Sequence, residues 1–245
     1  MTDSHSVLPL DQRVILVTGA SKGIGRAMVY GFAEAGATVI MLARNEEALN
    51  HIHDDLVAKK LPQPVIVQFD LEHAPEEAYF QLRDMINEEF GRLDGLLLNA
   101  SLLGQRTPLS NYNWQTWNRV MNINVNSTFL LARTLLPVME QSPADASILM
   151  TSSSVGRKSK AYWGAYAVSK FATEGLMQTM AEELENTSNV RVNSINPGGT
   201  RTDMRAEAYP AEDPATVKSP EDLVARYIYL MSAESKGING QALDI

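Results

Sequence analysis

The 245-residue sequence predicts an α/β fold: a doubly wound, mostly parallel sheet of seven strands with helices on both faces. Three observations predict it. Short apolar runs alternate with longer stretches of helical periodicity along the whole chain. Most of the runs are continuously apolar rather than alternating, as strands buried on both faces are. A glycine-rich turn joins the first run to the first helical stretch.

Residues 14–17, 39–42, 65–67, 96–98, 148–150 and 190–195 read as strands, and 242–245 as a short seventh strand at the C-terminal edge. Between 23 and 36, Ile24, Ala27, Met28, Gly31 and Ala35 fall on one helical face, and Gly36 sits where a helix stop is expected. Stretches 45–60, 75–90, 114–140, 165–187 and 219–232 fill the same role. There is no internal repeat and no low-complexity segment. The one long irregular segment, 204–219, carries Pro210, Pro214 and several acids, and is expected to form a substrate loop or lid. The length fits a single domain over 1–245. In such sheets ligands bind at the carboxyl ends of the strands, and the motifs below all fall there.

A net charge of -8 speaks against nucleic acid or an anionic membrane as partner, since either needs a basic face. The absence of cysteine excludes disulfides, thiolate metal sites and thiol nucleophiles, and no metal is expected. Residues 1–13 show neither a basic n-region nor a long apolar stretch, and no apolar run approaches the length that crosses a bilayer. The expectation is a soluble, cytoplasmic protein.

Residues 18–25 read Thr-Gly-Ala-Ser-Lys-Gly-Ile-Gly. Gly19 allows a sharp turn, Gly23 lets backbone approach a phosphate, and Gly25 lets helix and sheet pack closely. The helix that follows presents free N–H groups and a favourable dipole to an anion. Gly19, Ser21, Lys22, Gly23, Ile24 and Gly25 are therefore candidate pyrophosphate-binding residues of a Rossmann-type dinucleotide site. The plain alternative is a tight strand-to-helix turn with no ligand. The spacing is G-x-x-x-G-x-G, and no Gly-Lys-Ser/Thr closes it as in a P-loop.

The second strand ends at Ala43-Arg44-Asn45, with Arg44 nineteen residues beyond Gly25. An acid there would bind the ribose 2′-hydroxyl of NAD, and none is present. Arg44 and Lys22 converging on the 2′ position suit a phosphate, so NADP(H) is favoured over NAD(H), with Arg44 and Asn45 at the adenosine ribose. Either cation alone reads equally as a solvated surface charge.

Tyr166 and Lys170 are spaced i, i+4 on one helix face. A phenol with a pKa near ~10 is a poor acid–base group at neutral pH, and a neighbouring ammonium lowers it. Ser153, thirteen residues before Tyr166 at the end of the fifth strand, is placed to hold a substrate oxygen. Ser152 and Ser154 point elsewhere by strand alternation and read as turn chemistry.

These elements together resemble the single-domain short-chain dehydrogenase/reductase family. Thr18 to Gly25, Asp70, Asn99-Ala100, Asn124, Ser153, Tyr166, Lys170, Pro197-Gly198 and Thr202 match in the family's order across nearly the whole chain. The stretches 151–157, 163–166 and 196–202 are similar to a YciK-type branch of bacterial oxidoreductases. The resemblance implies that Asp70 and Leu71 contact adenine and that Asn99 and Ala100 pass the adenosine ribose. It implies that Asn124, five residues before Phe129, holds a water relaying protons to Lys170. Pro197, Gly198, Gly199, Thr200 and Thr202 would cradle the nicotinamide carboxamide. It also implies a homodimer or homotetramer, with helices 114–140 and 165–187 across a two-fold axis. Two departures stand out: Ser101 replaces the glycine of the family's Asn-Ala-Gly, and the glycine pair usual after the last strand is absent.

On the substrate side, Arg157, Lys158 and Lys160 follow Ser153, and Arg201 and Arg205 stand on the opposite wall. One reading is an anionic carbonyl or alcohol substrate; the other is a solvated loop, with Arg201 tied to structure. Tyr162, Trp163, Met204 and Tyr209 offer apolar area nearby. The function expected is an NADP(H)-dependent carbonyl reductase or alcohol dehydrogenase using Asn124, Ser153, Tyr166 and Lys170. The alternative is a non-catalytic NADP(H)-binding regulatory module, which needs no such tetrad. Epimerase or dehydratase relatives carry a larger C-terminal part than 245 residues provide.

Overall fold

In the computed structural model, which describes residues 8–245, the apolar runs become β1 (Val14–Thr18), β2 (Thr38–Ala43), β3 (Val65–Gln68), β4 (Gly95–Leu98), β5 (Ala146–Thr151), β6 (Val190–Asn196) and β7 (Ala242–Asp244). The expectation about residues 1–13 falls partly on 1–7, outside the described residues. The strands lie in the order β3-β2-β1-β4-β5-β6-β7, and every pairing is parallel. The short C-terminal run does pair with β6, Ser194 opposite Ala242.

Side-chain alternation divides each strand between two cores. Ile15, Val17, Val39 and Met41 face one side, where α1 (Gly23–Glu34), α2 (Glu46–Ala58) and α8 (Val224–Met231) cover them with Phe32, Leu49, Leu56, Tyr227 and Leu230. Val14, Leu16, Ile40 and Leu42 face the other. There α3 (Glu76–Phe90), α5 (Ser127–Met139) and α6 (Gly164–Leu184) contribute Tyr79, Ile86, Leu135 and Met177. Burial on both faces is the reason these strands read as unbroken apolar runs.

The chain leaves β1 toward one face and β4 toward the other. Those strands are neighbours, so a crevice opens at their carboxyl ends, the topological switch point of the sheet.

Two expectations change. The single helix over 114–140 is α4 (Trp114–Met121), a π-helical segment (Asn122–Asn126) and α5. A widened turn frees carbonyls from their usual partners. Two hydroxyls take them: Ser127 Oγ donates to Ile123 O at 2.7 Å, and Thr128 Oγ1 to Asn124 O at 2.9 Å. The segment 204–219 is not wholly irregular. It begins within α7 (Asp203–Ala208), capped by Thr202, whose hydroxyl accepts from Arg205 N at 3.2 Å. It closes with Thr200 bridging Lys218. No helix among the described residues is long and apolar enough to cross a membrane.

Candidate functional site

A cleft of about 840 Å³ occupies the switch point, running from the end of β2 past β1 and β4 to the ends of β5 and β6. Of the residues singled out from the sequence, Gly19, Ser21, Lys22, Gly23, Ile24, Arg44, Asn45, Asp70, Leu71, Asn99, Ala100, Ser153, Tyr166, Lys170, Pro197, Gly198, Thr200 and Thr202 all line it. Gly25, Gly199 and Asn124 are not on its lining.

The turn after β1 is built to let something approach. Gly19 and Gly23 have φ of 67° and 55°, the left-handed region where a side chain costs strain. Gly25 works beneath the surface: a Cβ there would stand 2.2 Å from the Gly19 carbonyl oxygen, so only glycine lets α1 start this close to the strand end. The N-cap residue of α1, Lys22, makes no side-chain cap, and the first turn carries no acid. The N–H groups opening α1 are thus left without an internal partner beside the cleft wall. The residues present fit a dinucleotide pyrophosphate.

At the other end, Ser153, Tyr166 and Lys170 come together. Tyr166 and Lys170 sit in the first two turns of α6, and the ammonium lies 5.5 Å from the phenol ring centroid. Both residues are buried, at 8% and 3% exposure. Burial pushes the Tyr166 phenol up to about 12, with the Ser153 hydroxyl pulling the other way. Burial drives Lys170 down to about 8, against the attraction of Glu174 one turn further along α6. Lys170 Nζ donates to Thr151 O at 2.8 Å. The sequence leads one to expect the lysine neighbour to lower the tyrosine; burial instead holds the phenol up, and the downward pull comes from the Ser153 hydroxyl.

Asn124 stands behind this group rather than in the cleft. Its Nδ2 donates to Leu102 O at 3.0 Å and Ser169 Oγ at 2.9 Å, and its Oδ1 accepts from Leu102 N at 2.8 Å. The side chain is only 2% exposed and ties the loop after β4 to the residue beside Lys170. The resemblance implies a water holder at Asn124; its side-chain amide, besides, makes the contacts of a brace.

A model of the short-chain dehydrogenase family matches residues 13–213. The chain belongs to the short-chain dehydrogenase family. It is 48% identical over 235 residues to the oxidoreductase YciK of Escherichia coli, covering 96% of this chain and 92% of YciK. A short-chain dehydrogenase from Pseudomonas syringae superposes with a TM-score of 0.95 at 54% identity, covering 97% of this chain and 96% of that one. Another from Shigella flexneri, solved in complex with NADP, gives a TM-score of 0.93 at 48% identity, over 97% and 98% of the two chains.

In this short-chain dehydrogenase the two cations of the cofactor end both line the cleft but have separate acidic partners. Lys22 Nζ pairs with Asp203 Oδ2 at 3.1 Å, on the β6 side, whereas Arg44 Nη1 lies 3.7 Å from Glu72 Oε2, on the β3 side. Arg44 alone stands at the end of β2. Both side chains are largely exposed, and such pairs are weak enough to exchange for a ligand phosphate. Ser101 takes the family glycine's place without positive φ, and lines the cleft.

The basic group after Ser153 does not reach the cleft. Arg157 Nη1 pairs with Asp244 at 2.7 Å, Nη2 donates to Leu243 O at 2.9 Å, and Nε lies 3.4 Å from Glu174. It fastens β7 to the turn that follows Ser153. Lys158, Lys160 and Arg201 are exposed and off the lining, while Arg205 is on it but paired with Glu212. Sequence reasoning missed Glu174, a buried carboxylate that also accepts from Ser194 Oγ at 2.6 Å. Its i, i+4 spacing from Lys170 was the available signal. It also missed Leu102 and Leu103, in the loop after β4, and Ile123 and Ala208, in the π-helical segment and at the end of α7, as lining.

Proposed function

We propose that this short-chain dehydrogenase is an NADP(H)-dependent oxidoreductase interconverting a carbonyl and an alcohol. Ser153, Tyr166 and Lys170 act at the reacting atoms, and Asn124 braces them. The observation that carries the reading is the meeting of a serine hydroxyl, a buried phenol and a buried ammonium at one end of a cleft whose other end is a glycine-rich helix start.

Each residue has a chemical task. A phenol held up at about 12 is protonated at neutral pH, so Tyr166 donates a proton to the oxygen of a carbonyl being reduced. Ser153 hydrogen-bonds the same oxygen and fixes it over the phenol. In the oxidation direction Tyr166 must first give up its own proton and, as the phenolate, accepts that of the alcohol; the nearby ammonium of Lys170 favours that form. Lys170 spends one of its three donors on Thr151 O and has two left for ribose hydroxyls. Bound along the cleft, the dinucleotide supplies or takes up the hydride. Ser21, Gly23 and Ile24 would hold its pyrophosphate. Asp70 and Leu71 would hold adenine, Asn99 and Ala100 the ribose, and Pro197 to Thr202 the carboxamide. The segment 204–219 would close over the substrate.

Arg44 supports the phosphorylated cofactor, as does the NADP held by the Shigella flexneri relative. Arg44→Ala is expected to weaken NADPH binding about 10–100-fold, the value of a charged hydrogen-bonded contact, and to leave NADH nearly unchanged. Titration calorimetry with both cofactors checks it; equal losses for the two would remove Arg44 from the 2′ site. A panel of ketones, aldehydes and alcohols with NADPH and NADP⁺ tests the reaction itself. Tight cofactor binding with no turnover of any member would favour a binding module.

Phe129 of α5 and Val168 and Phe171 of α6 are apolar side chains left 43%, 40% and 46% exposed. They support self-association through these helices, and light scattering is expected to give twice or four times the chain mass. A monomer at micromolar concentration would contradict this.

A further inference from the structure

The substrate end of the cleft has its own small core, separate from the two that flank the sheet. Leu103, Val155, Trp163, Tyr166, Ala167 and Ala208 form it, with Met204 and Tyr209 packed against them. The Trp163 ring centroid lies 5.7 Å from that of Tyr166 and 5.9 Å from that of Tyr209, and all three rings line the cleft. A wall of three tilted aromatic rings therefore begins at the proton donor and runs to the segment after α7.

Of the arginines near this wall, Arg205 lines the cleft, whereas Arg106 and Arg157 lie off its lining. Arg205 directs two guanidinium donors to Glu212 at 2.6 and 2.5 Å, and its carbon lies 3.9 Å from the Tyr209 centroid. Arg106, from the loop between β4 and α4, lies 4.7 Å from the Trp163 centroid and 5.3 Å from that of Tyr209, and donates to the Ala208 carbonyl. Arg157 is held by Glu174 and Asp244. Glu207, on the lining, adds a negative charge at the mouth. An anionic group entering here would meet aromatic rings and a carboxylate, and Arg205, the arginine on the lining at this end, is already paired with Glu212. An apolar body would cover the rings and lose nothing.

We infer that the substrate is a neutral carbonyl or alcohol with an apolar body, selected by Trp163 and Tyr209, with Arg106 as the positioning residue that fastens the Tyr209 segment against Trp163. One guanidinium thus joins three segments far apart in sequence: the loop after β4, the entry to α6 and the exit from α7. This rests on the oxidoreductase reading above and narrows it.

The test uses pairs of ketones of equal chain length, one ending in methyl and one in carboxylate, with the full chain and NADPH. The methyl member is expected to have a kcat/KM about tenfold higher or more, because the carboxylate must be desolvated without a partner. Arg106→Met is expected to raise the KM for the methyl member more than it lowers kcat, and Arg106→Lys, which keeps a cation on the rings, to recover part of the loss. Equal or better turnover of the carboxylate member would overturn the inference, as would an unchanged KM in Arg106→Met. Calorimetric binding of the same pairs to NADP⁺-loaded Tyr166→Phe protein separates the two readings. Tight binding of methyl members with no turnover by wild type sinks the reaction and keeps the substrate class. Turnover with tighter binding of carboxylates does the reverse.

Discussion

Replacing Tyr166 by phenylalanine is expected to lower kcat for carbonyl reduction by about 10²–10⁴-fold, the usual contribution of a positioned general acid. The ring keeps its place beside Trp163, whose centroid is 5.7 Å away, so the aromatic wall survives and only the proton is lost. NADPH affinity is expected to stay nearly unchanged, because the phosphate-facing turn at the far end of the cleft is untouched. The loss should therefore appear equally in kcat and kcat/KM, the sign of an interaction made in the transition state. Steady-state rates and a calorimetric Kd on the same protein check this. A variant as fast as wild type would remove Tyr166 from the proton transfer.

Lys170→Met is expected to move activity and stability in opposite directions. Burial lowers the Lys170 ammonium from 10.5 to about 8, so the folded chain holds this charge less readily than the unfolded chain does. Stability then rises with pH wherever the unfolded state binds more protons, here from about 8 to 10.5. Below that window wild type bears the whole cost of the buried charge, and above it none. Methionine removes the charge and keeps the apolar stem, at the expense of the bond to Thr151 O. A net gain of about 1–2 kcal/mol at neutral pH is expected, roughly 2–8 °C in Tm for a chain of this size, shrinking as pH rises. Activity is expected to fall by about 10²-fold or more with the ammonium gone. Thermal melts across the pH range check the first part. A variant that melts lower than wild type at neutral pH would show that Lys170 contributes to the fold rather than straining it.

The fold was legible because burial on both faces writes itself into composition. Val14 to Val17 and Val39 to Leu42 are unbroken apolar runs since alternate side chains enter two different cores. The glycine turn was legible for a related reason: positive φ at Gly19 and Gly23 and contact at Gly25 each admit little but glycine. The i, i+4 pair on α6 followed from helix geometry alone.

What stayed hidden depends on tertiary neighbours. The π-helical turn at Asn122–Asn126 leaves no mark in a periodicity that continues on either side of it, so the brace made by Asn124 was invisible. The upward push on Tyr166 stayed hidden because spacing does not show the depth of burial. The pairing of Lys22 with Asp203, 181 residues later, left no mark in the sequence. The basic run from Arg157 read either as a substrate anchor or as a solvated loop; its arginine does neither and fastens the C-terminal strand. Arg106 gave no signal, since the rings that define its place come from residues 163 and 209.

In the proposed reaction NADPH bound in this cleft reduces a carbonyl carbon while Tyr166 protonates its oxygen. Transfer of deuterium from nicotinamide-labelled NADPH to a neutral apolar ketone, followed by mass spectrometry of the alcohol, tests it most directly. The expected result is label on the carbinol carbon with the wild-type chain and almost none with Tyr166→Phe at matched cofactor occupancy. Unlabelled alcohol, or equal labelling by the two proteins, would contradict it.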